Sequence, residues 1–459
     1  MKNLDCIFSP KSVAIIGASR KLNKIGNVIT KNFIDGGYEG DIYPVNPQAD
    51  EILGLKCYPS VLDIPRSVDC AVVVIPAPSV PKVLKECGEK GVKGAVVISG
   101  GFSEIGNHEL ERELVDVAER YGVHVIGPNC MGVLNPRSHV DSIFLPMYKL
   151  GRPRVGEIGF ISQSGAIGGC IVDLCARAGV GMSKFVSYGN ASVIDEADLL
   201  EYLAYDKETQ IIEVYIEGVK RGRKFMDILK EITKIKPVVI LKGGVTKRGA
   251  EATMSHTASL AGSAEVYRAV FKQCKAVEAH SLEELFDFAK IFYQPKCRGK
   301  RIGIITNGGG TGILAADSIE RNGLELAEFS DKTKNELRQK LPEYTNVRNP
   351  LDIAGDADAD RYQAAIETVI EDENTDFLVI IVLFQTAAID SRIIETIVRA
   401  NEIRKKPIVA IATGGEYTEF HKRILDSYGV PTYSTPSAAM RAVAEFVNYS
   451  MFVMNSRRG

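Results

Sequence analysis

The same local pattern begins three times along the chain: a short apolar run, a turn rich in glycine or serine, and a segment with helical periodicity. The three beginnings are "SVAIIGASRKLNKIGN", "GFISQSGAIGG" and "RIGIITNGGGTGILAAD". Runs that are apolar at every position are typical of parallel strands buried on both faces. Alternation of such strands with helices predicts an α/β protein built on doubly wound parallel sheets.

These repeated beginnings also indicate the domain organisation. The chain has 459 residues, which is enough for about three domains of roughly 150 residues. The second pattern begins near residue 155, and the polar segment "PKCRGK" precedes the third. We therefore predict three consecutive α/β domains over residues 1–150, 151–295 and 296–459.

Composition excludes several classes of protein. A formal net charge of −2 provides no basic surface for a nucleic-acid partner. Nine scattered cysteines without a C-x-x-C pair favour reduced thiols over a disulfide framework or a metal site. The start of the sequence lacks the apolar region of a signal peptide, and no apolar run reaches the roughly 20 residues of a membrane helix. We expect a cytoplasmic protein with no membrane partner and no metal ligands.

The first glycine-rich turn predicts a nucleotide-like ligand. Gly17 permits a tight turn, and the helix that follows would offer free N–H groups to a phosphate. Arg20 and Lys24 add positive charge nearby. The fingerprint G-x-G-x-x-G is absent, and no acidic residue ends the second strand in "IYPVNP", which argues against NAD. A tight turn that holds no ligand remains the alternative.

The second and third turns are suited to anions. Hydroxyl groups and helix N–H groups can bind a phosphate in the second turn, although serine is also a common N-cap residue. Successive glycines in the third turn can form a concave cluster of N–H groups, and no P-loop lysine follows them. The candidate phosphate-binding residues are Ser162, Gln163, Ser164 and Gly165, and Gly308, Gly309 and Gly310.

An isolated histidine, His256, lies among small and hydroxyl residues in "EATMSHTASLAG", which we interpret as a loop. Imidazole can attack phosphorus and carry a phosphoryl group, and a carboxylate on its other nitrogen stabilises the developing charge. In "IIEVYIEGV", Glu213 and Glu217 share one face of a strand. Glu217, at the carboxyl end, is the first candidate and Glu213 the second. A surface histidine without a chemical role remains the alternative.

Together these motifs resemble the alpha subunit of the ADP-forming acyl-CoA synthetases, in particular the archaeal acetyl-CoA synthetases, and more distantly succinyl-CoA synthetase. "SVAIIGAS", "YPVNP", "SGGFSE" and "IGPNCMGVLNP" resemble the family's CoA-binding domain. "GFISQSGAIGG" and "MSHTASLAG" resemble its second domain, and "TNGGGTGILAAD" with "NPLDIAGDAD" its smaller ligase domain. The resemblance implies a Rossmann-like CoA-binding domain followed by two flavodoxin-like domains.

The resemblance also implies a reaction, in which acyl-CoA, phosphate and ADP interconvert with acid, CoA and ATP through an acyl phosphate. His256 would take the phosphoryl group, Glu217 would orient the imidazole, and the second and third turns would hold the phosphoryl oxygens. Asn129 would line the acyl end near the thiol, beside a packed Cys130. The implied CoA contacts are Gly17, Ser19, Lys24, Gly26, Val45, Asn46, Pro47 and Pro76.

In this family an ATP-grasp domain performs the nucleotide half of the reaction. The three predicted domains account for the whole sequence, so we expect a separate beta subunit that binds ADP or ATP with magnesium, in an α2β2 assembly. A non-catalytic CoA-binding regulatory protein on the same scaffold and an NAD-dependent dehydrogenase are the alternative hypotheses. The acid (acetate, branched-chain or aryl) and the physiological direction are left open by the sequence.

Overall fold

The computed structural model describes residues 2–257 and 263–456, except for the side chains of residues 253–257. It divides into two compact units. The first comprises Met1–Arg177 with Gly181–His280, and the second comprises Ala178–Val180 with Ser281–Gly459. Within the described ranges, no helix has both the length and the apolar character needed to cross a membrane.

Strands and helices alternate along most of the chain. The strands are β1 (Ser12–Ile16), β2 (Asp41–Val45), β3 (Glu51–Ile52), β4 (Leu55–Lys56), β5 (Cys70–Val73), β6 (Gly94–Val97), β7 (His124–Ile126), β8 (Gly132–Asn135), β9 (Val140–Asp141), β10 (Val155–Ser162), β11 (Met182–Ser187), β12 (Ile211–Ile216), β13 (Val238–Lys242), β14 (Val277–Ala279), β15 (Arg301–Thr306), β16 (Glu325–Leu326), β17 (Leu351–Asp352), β18 (Phe377–Ile381), β19 (Ile408–Ile411) and β20 (Thr432–Tyr433). The helices are α1 (Asp5–Phe8), α2 (Ile25–Asp35), α3 (Val80–Lys90), α4 (His108–Tyr121), α5 (Gly165–Ala178), α6 (Glu196–Tyr205), α7 (Gly222–Ile232), α8 (Lys247–Thr257), α9 (Ala264–Cys274), α10 (Leu282–Ile291), α11 (Gly309–Arg321), α12 (Asp331–Lys340), α13 (Ala359–Glu371), α14 (Arg392–Glu402), α15 (Glu416–Ser427) and α16 (Pro436–Ser456).

The first unit contains a parallel sheet with strand order β2-β1-β5-β6-β7. Every residue of β1, β5 and β6 is buried, as expected for strands with helices on both faces. The carboxyl ends of β2, β1 and β5 therefore meet at one edge of the sheet. This arrangement is Rossmann-like, and the predicted α/β fold class is confirmed.

A second sheet in the same unit has the order β14-β13-β12-β10-β11-β8-β9. Its first five strands are parallel, and β8 and β9 are antiparallel additions at one edge. The chain therefore passes directly from β7 in the first sheet to β8 in the second, so that residues before 150 join the second sheet. The division at residues 150 and 295 stays a prediction.

The second unit has a third parallel sheet, with β16-β15-β18-β19-β20 in order and β17 paired to β15. Its central strand β18 is buried at every position. The hydroxyl of the buried Tyr362 donates to the carbonyl of Ile381 at 2.6 Å and accepts from the amide of Asn307 at 3.2 Å. This contact joins α13 to the ends of two neighbouring strands.

The interpretation of the histidine segment as a loop is wrong for its first part, because α8 extends from Lys247 to Thr257. Ala250, Glu251 and Ala252 are good helix formers, and neither glycine nor proline interrupts the chain between them and Thr257. The backbone of His256 belongs to this helix, and its side chain lies outside the described residues.

Close packing of α2 against the first turn depends on two glycines. Gly17 has φ +95°, and a Cβ atom added to Gly26 would lie 2.0 Å from the carbonyl oxygen of Gly17. The helix can therefore approach the turn only while residue 26 has no side chain.

We predict that Gly26→Ala lowers the free energy of unfolding by about 1 to 3 kcal/mol, because the added methyl group overpacks this contact. Chemical denaturation of the purified chain measures the change. Gly222→Ala is the matched control, since a Cβ there meets no atom within 4 Å at the start of α7. Equal stability of the two variants would contradict the prediction.

A candidate active site between the first two sheets

A cavity of about 700 Å³ lies in the first unit, where the carboxyl ends of its two sheets face each other. One wall is the segment after β7, with Asn129, Cys130 and Met131. The start of α5 and the segment that follows β12 form two other walls. The cavity therefore brings the "GPNCMG" motif together with the second glycine-rich turn.

The second turn presents the first turn of α5 to this cavity. Gln163, Ser164 and Gly165 line the cavity, whereas Ser162 is fully buried and its hydroxyl donates to the carbonyl of Ser164 at 2.7 Å. The Oε1 atom of Gln163 accepts hydrogen bonds from the amides of Glu217 and Gly218 at 2.6 and 3.1 Å. The turn is thereby fixed to the end of β12, and its helix N–H groups suit an anion.

The two candidate carboxylates differ in environment. Glu217 follows β12 directly, is 7% exposed, and accepts a hydrogen bond from the hydroxyl of Tyr215 at 3.3 Å. Glu213 lies inside the strand and is fully buried, and neither carboxylate oxygen has a hydrogen-bond partner among the described residues. Burial raises the pKa of Glu213 to about 8, so its neutral form dominates at pH 7. A neutral carboxyl cannot stabilise a charged imidazole, which favours Glu217.

The predicted CoA residues lie at the carboxyl ends of three adjacent strands. The amide of Gly17 donates to the carbonyl of Val45 at 3.0 Å, and the side chain of Asn46 donates to the carbonyl of Ala18 at 2.7 Å. The hydroxyl of Ser19 accepts a hydrogen bond from a nearby backbone amide. Three predicted contact residues are exposed at this edge, namely Lys24, Pro47 and Pro76.

The third turn belongs to the second unit. Gly308 precedes α11, and its amide donates to the hydroxyl of Thr306 at 2.9 Å. A Cβ atom on Gly309 would lie 2.6 Å from a carboxylate oxygen of Asp352, whereas one on Gly310 would meet nothing within 4 Å. The close approach of Asp352 explains a glycine at position 309, and the first turn of α11 again offers N–H groups.

Cys130, which lines the cavity, is a packed thiol. Cys130 is 4% exposed, its thiol contacts the carbonyl of Val97 at 3.3 Å, and burial raises its pKa to about 12. All nine cysteines are free. Among the side chains that the structure describes, which exclude residues 253–262, no group of three or more histidine, cysteine, aspartate or glutamate residues could hold a metal.

Several cavity residues were not predicted from the sequence. Asn190 follows β11, Lys220 follows β12, and Ser103 and Glu111 come from the segment between β6 and β7. Asn190 stands in "YGN", directly after a buried strand, where polar residues often meet a ligand. The position of Asn190 after a buried strand could have marked it as a site residue. The sequence contains no comparable signal for its contacts with distant segments of the chain.

Comparison with known proteins identifies the surrounding scaffold. The chain matches a CoA binding domain over residues 11–136, a succinyl-CoA ligase like flavodoxin domain over 155–292, and a ligase-CoA domain over 302–449. It is 41% identical to the alpha subunit of acetate–CoA ligase (ADP-forming) II of Pyrococcus furiosus, with 97% of each chain covered. The solved dinucleotide-forming acetyl-coenzyme A synthetase 1 of Ca. Korarchaeum cryptofilum, in complex with phosphate and ADP, matches with TM-score 0.92, 37% identity and 99% of each chain covered.

Some relatives are longer than this chain. Acetate–CoA ligase (ADP-forming) I of Archaeoglobus fulgidus is 45% identical over 456 residues, which is 99% of this chain and 65% of that protein. The chain therefore spans about two thirds of such relatives and nearly the whole of the separate alpha subunits.

We predict that Glu213→Gln stabilises the chain relative to wild type increasingly as pH rises. Between about pH 4.3, where an unfolded glutamate titrates, and about pH 8 the folded chain keeps a proton that the unfolded chain releases. Wild-type stability therefore falls with pH across this window, and glutamine removes that loss. The difference should grow by up to about 1.4 kcal/mol per pH unit.

Chemical denaturation at pH 5 and pH 8 measures this change. Glu119→Gln, on an exposed position of α4, controls for the general effect of removing a carboxylate. A Glu213→Gln advantage that is the same at both pH values would show that the buried carboxyl does not titrate in this window.

Proposed function

The chain belongs to the family of ADP-forming acetate–CoA ligases, and we propose that it is the alpha chain of an ADP-forming acyl-CoA synthetase. The proposed reaction converts acyl-CoA, phosphate and ADP into acid, CoA and ATP through an acyl phosphate and a phosphohistidine. The observation that carries the proposal is the single cavity lined by Asn129 from the CoA-binding side and by the start of α5 from the second sheet. A thioester and a phosphate can meet there.

The first step takes place on this chain. The turn at Gly17, the segment Val45–Pro47 and Pro76 bind CoA at one edge of the first sheet, and the thioester reaches Asn129. The N–H groups at the start of α5 hold inorganic phosphate. A phosphate oxygen bonds to the carbonyl carbon, the carbon–sulfur bond breaks, and the thiolate of CoA takes up the proton that phosphate loses.

The second step transfers the phosphoryl group to His256. Glu217 holds the imidazole and balances the charge that develops when the ring attacks phosphorus. The start of α5 and the start of α11 bind the phosphoryl oxygens at successive stages. The acid leaves as its carboxylate, and the phosphohistidine carries the group towards ADP.

A partner subunit completes the reaction. The alpha-subunit names of two Pyrococcus furiosus relatives support a second chain, and we propose that it carries an ATP-grasp domain, binds ADP with magnesium, and forms an α2β2 assembly. Nine free cysteines support a cytoplasmic location. The three-domain division at residues 150 and 295 is part of the same proposal.

Incubation with acetyl-CoA and labelled phosphate should give an acid-labile, base-stable label on the wild-type chain, and none on His256→Ala. Acid lability and base stability distinguish phosphohistidine from phosphoserine and phosphothreonine. Liquid chromatography and scintillation counting measure the label, with the partner subunit added in a parallel reaction.

Arsenate supplies the control for this variant. It replaces phosphate in the attack on the thioester, and the acyl arsenate hydrolyses without a histidine. His256→Ala should therefore release CoA from acetyl-CoA at the wild-type rate when arsenate is present. A wild-type chain that binds CoA but gives neither label nor arsenolysis, alone or with its partner subunit, would favour a regulatory CoA-binding protein instead.

Glu217→Gln should reduce the rate of histidine labelling by roughly 100-fold, because the imidazole loses its charged partner. Glu213→Gln should label at a rate close to wild type, since that carboxyl is already neutral at pH 7. Quenched time courses of labelling separate the two variants. If Glu213→Gln were slow and Glu217→Gln close to wild type, Glu213 would be the carboxylate partner of the histidine.

A further inference from the structure

Two loops from different sheets are docked against each other at the cavity. The amide of Asn190 donates to the carbonyl of Pro128 at 3.0 Å, and the amide of Ser192 donates to the carbonyl of Gly127 at 3.3 Å. Directly before Asn190, Gly189 has φ +55°, and a Cβ atom there would lie 2.3 Å from the carbonyl oxygens of both Pro128 and Asn129. The segment after β11 therefore lies directly on the segment that carries Asn129.

The side chain of Asn190 is held by two carboxylates. Its Nδ2 atom donates to Glu104 at 2.7 Å and to Glu111 at 3.0 Å, and it lies 3.3 Å from the hydroxyl of Ser103. Burial alone would raise the pKa of Glu111, but hydrogen bonds from residues that include Ser103 and Asn190 lower it. The oxygens of both side chains accept from this atom, so the nitrogen of the Asn190 amide faces them.

This orientation determines that of a second amide. Because its nitrogen faces the carboxylates, the Oδ1 atom of Asn190 faces Asn129 and accepts from its Nδ2 atom at 3.3 Å. The Oδ1 atom of Asn129 lies on the opposite side, 3.2 Å from where a Cβ atom on Gly100 would be. Asn129 itself is exposed and lines the cavity. Its second N–H is thus available to a ligand.

We propose that Asn190, fixed by Glu104 and Glu111, is a positioning residue that keeps an N–H of Asn129 directed at the thioester carbonyl oxygen. The inference rests on the proposed function. When phosphate attacks, negative charge develops on that oxygen, and a donor already in place stabilises it. With the Asn129 amide reversed, its own oxygen would face the developing charge and repel it.

Lys220 reinforces the arrangement. Its Nζ atom donates to the backbone carbonyl of Asn190 at 2.7 Å and lies 3.7 Å from Glu111. The lysine therefore ties the segment after β12 to the same loop and offsets part of the carboxylate charge. The chain of contacts from Glu104 and Glu111 through Asn190 to Asn129 is made entirely by side chains of the first unit.

The test uses arsenolysis of acetyl-CoA by the full chain, in the preparation that labels His256, with wild type, Asn129→Ala, Asn190→Ala and the double variant. We expect Asn129→Ala to lose roughly 100-fold in kcat and Asn190→Ala about tenfold or more. The KM for acetyl-CoA should stay within about twofold. The double variant should be no slower than Asn129→Ala, because Asn190 acts through Asn129.

Asn135→Ala is the matched control. This asparagine is buried in the same unit, and its Nδ2 atom donates to the carbonyl of Phe8 at 2.9 Å, away from the cavity. The Asn135→Ala substitution should lower thermal stability without changing kcat. If Asn190→Ala unfolds, the double variant Glu104→Gln with Glu111→Gln tests the same role. Amides at both positions can donate as well as accept, so the side-chain amide of Asn190 can flip. This double variant should have a lower kcat and an unchanged affinity for CoA.

Two results would overturn the positioning role and leave the proposed function intact. One is a kcat of the Asn129–Asn190 double variant that is reduced by the product of the two single losses. The other is a wild-type kcat in both Asn190→Ala and the Glu104→Gln, Glu111→Gln double variant. If the wild-type chain showed neither arsenolysis nor histidine labelling, both the positioning role and the proposed function would be overturned.

Discussion

The contact between the loop after β11 and the loop after β7 is the constraint on which the site depends. It requires a glycine at position 189, because the carbonyl oxygens of Pro128 and Asn129 leave no space for a Cβ atom. The backbone makes the same connection, since the chain passes from β7 of the first sheet to β8, which pairs with β11 of the second. Through these two features, the segment that carries Asn129 and the start of α5 line one cavity.

Local sequence patterns were sufficient to predict most of the scaffold. Parallel strands buried on both faces appear as continuous apolar runs, and the strand-to-helix turns are marked by glycine and serine. The turn residues Gly17, Ser164 and Gly308 could therefore be predicted without the sheet order, and all three stand between a strand and a helix. The helical state of residues 247–257 was missed, because small polar residues suggested a loop although alanine and glutamate favour a helix.

Contacts between distant segments could not be predicted in this way. Asn190 is 61 positions from Asn129 and 86 from Glu104 in sequence, and no local periodicity links such pairs. For the same reason, the sequence alone could not decide between Glu213 and Glu217. Both lie on one face of the strand by alternation, and only the structure shows that one is sealed in the core while the other lies beside a cavity-lining glycine. Burial is a property of the assembled sheet.

The cavity separates two kinds of electrostatic support. The start of α5 offers helix N–H groups to an anion, whereas another wall is lined by Asn129, a neutral amide that donates to Asn190, which is itself held by Glu104 and Glu111. A fixed amide N–H gains most when charge appears on the carbonyl oxygen. In the proposed role, Glu104 and Glu111 thus act through orientation, because they hold the amide of Asn190 that in turn holds Asn129.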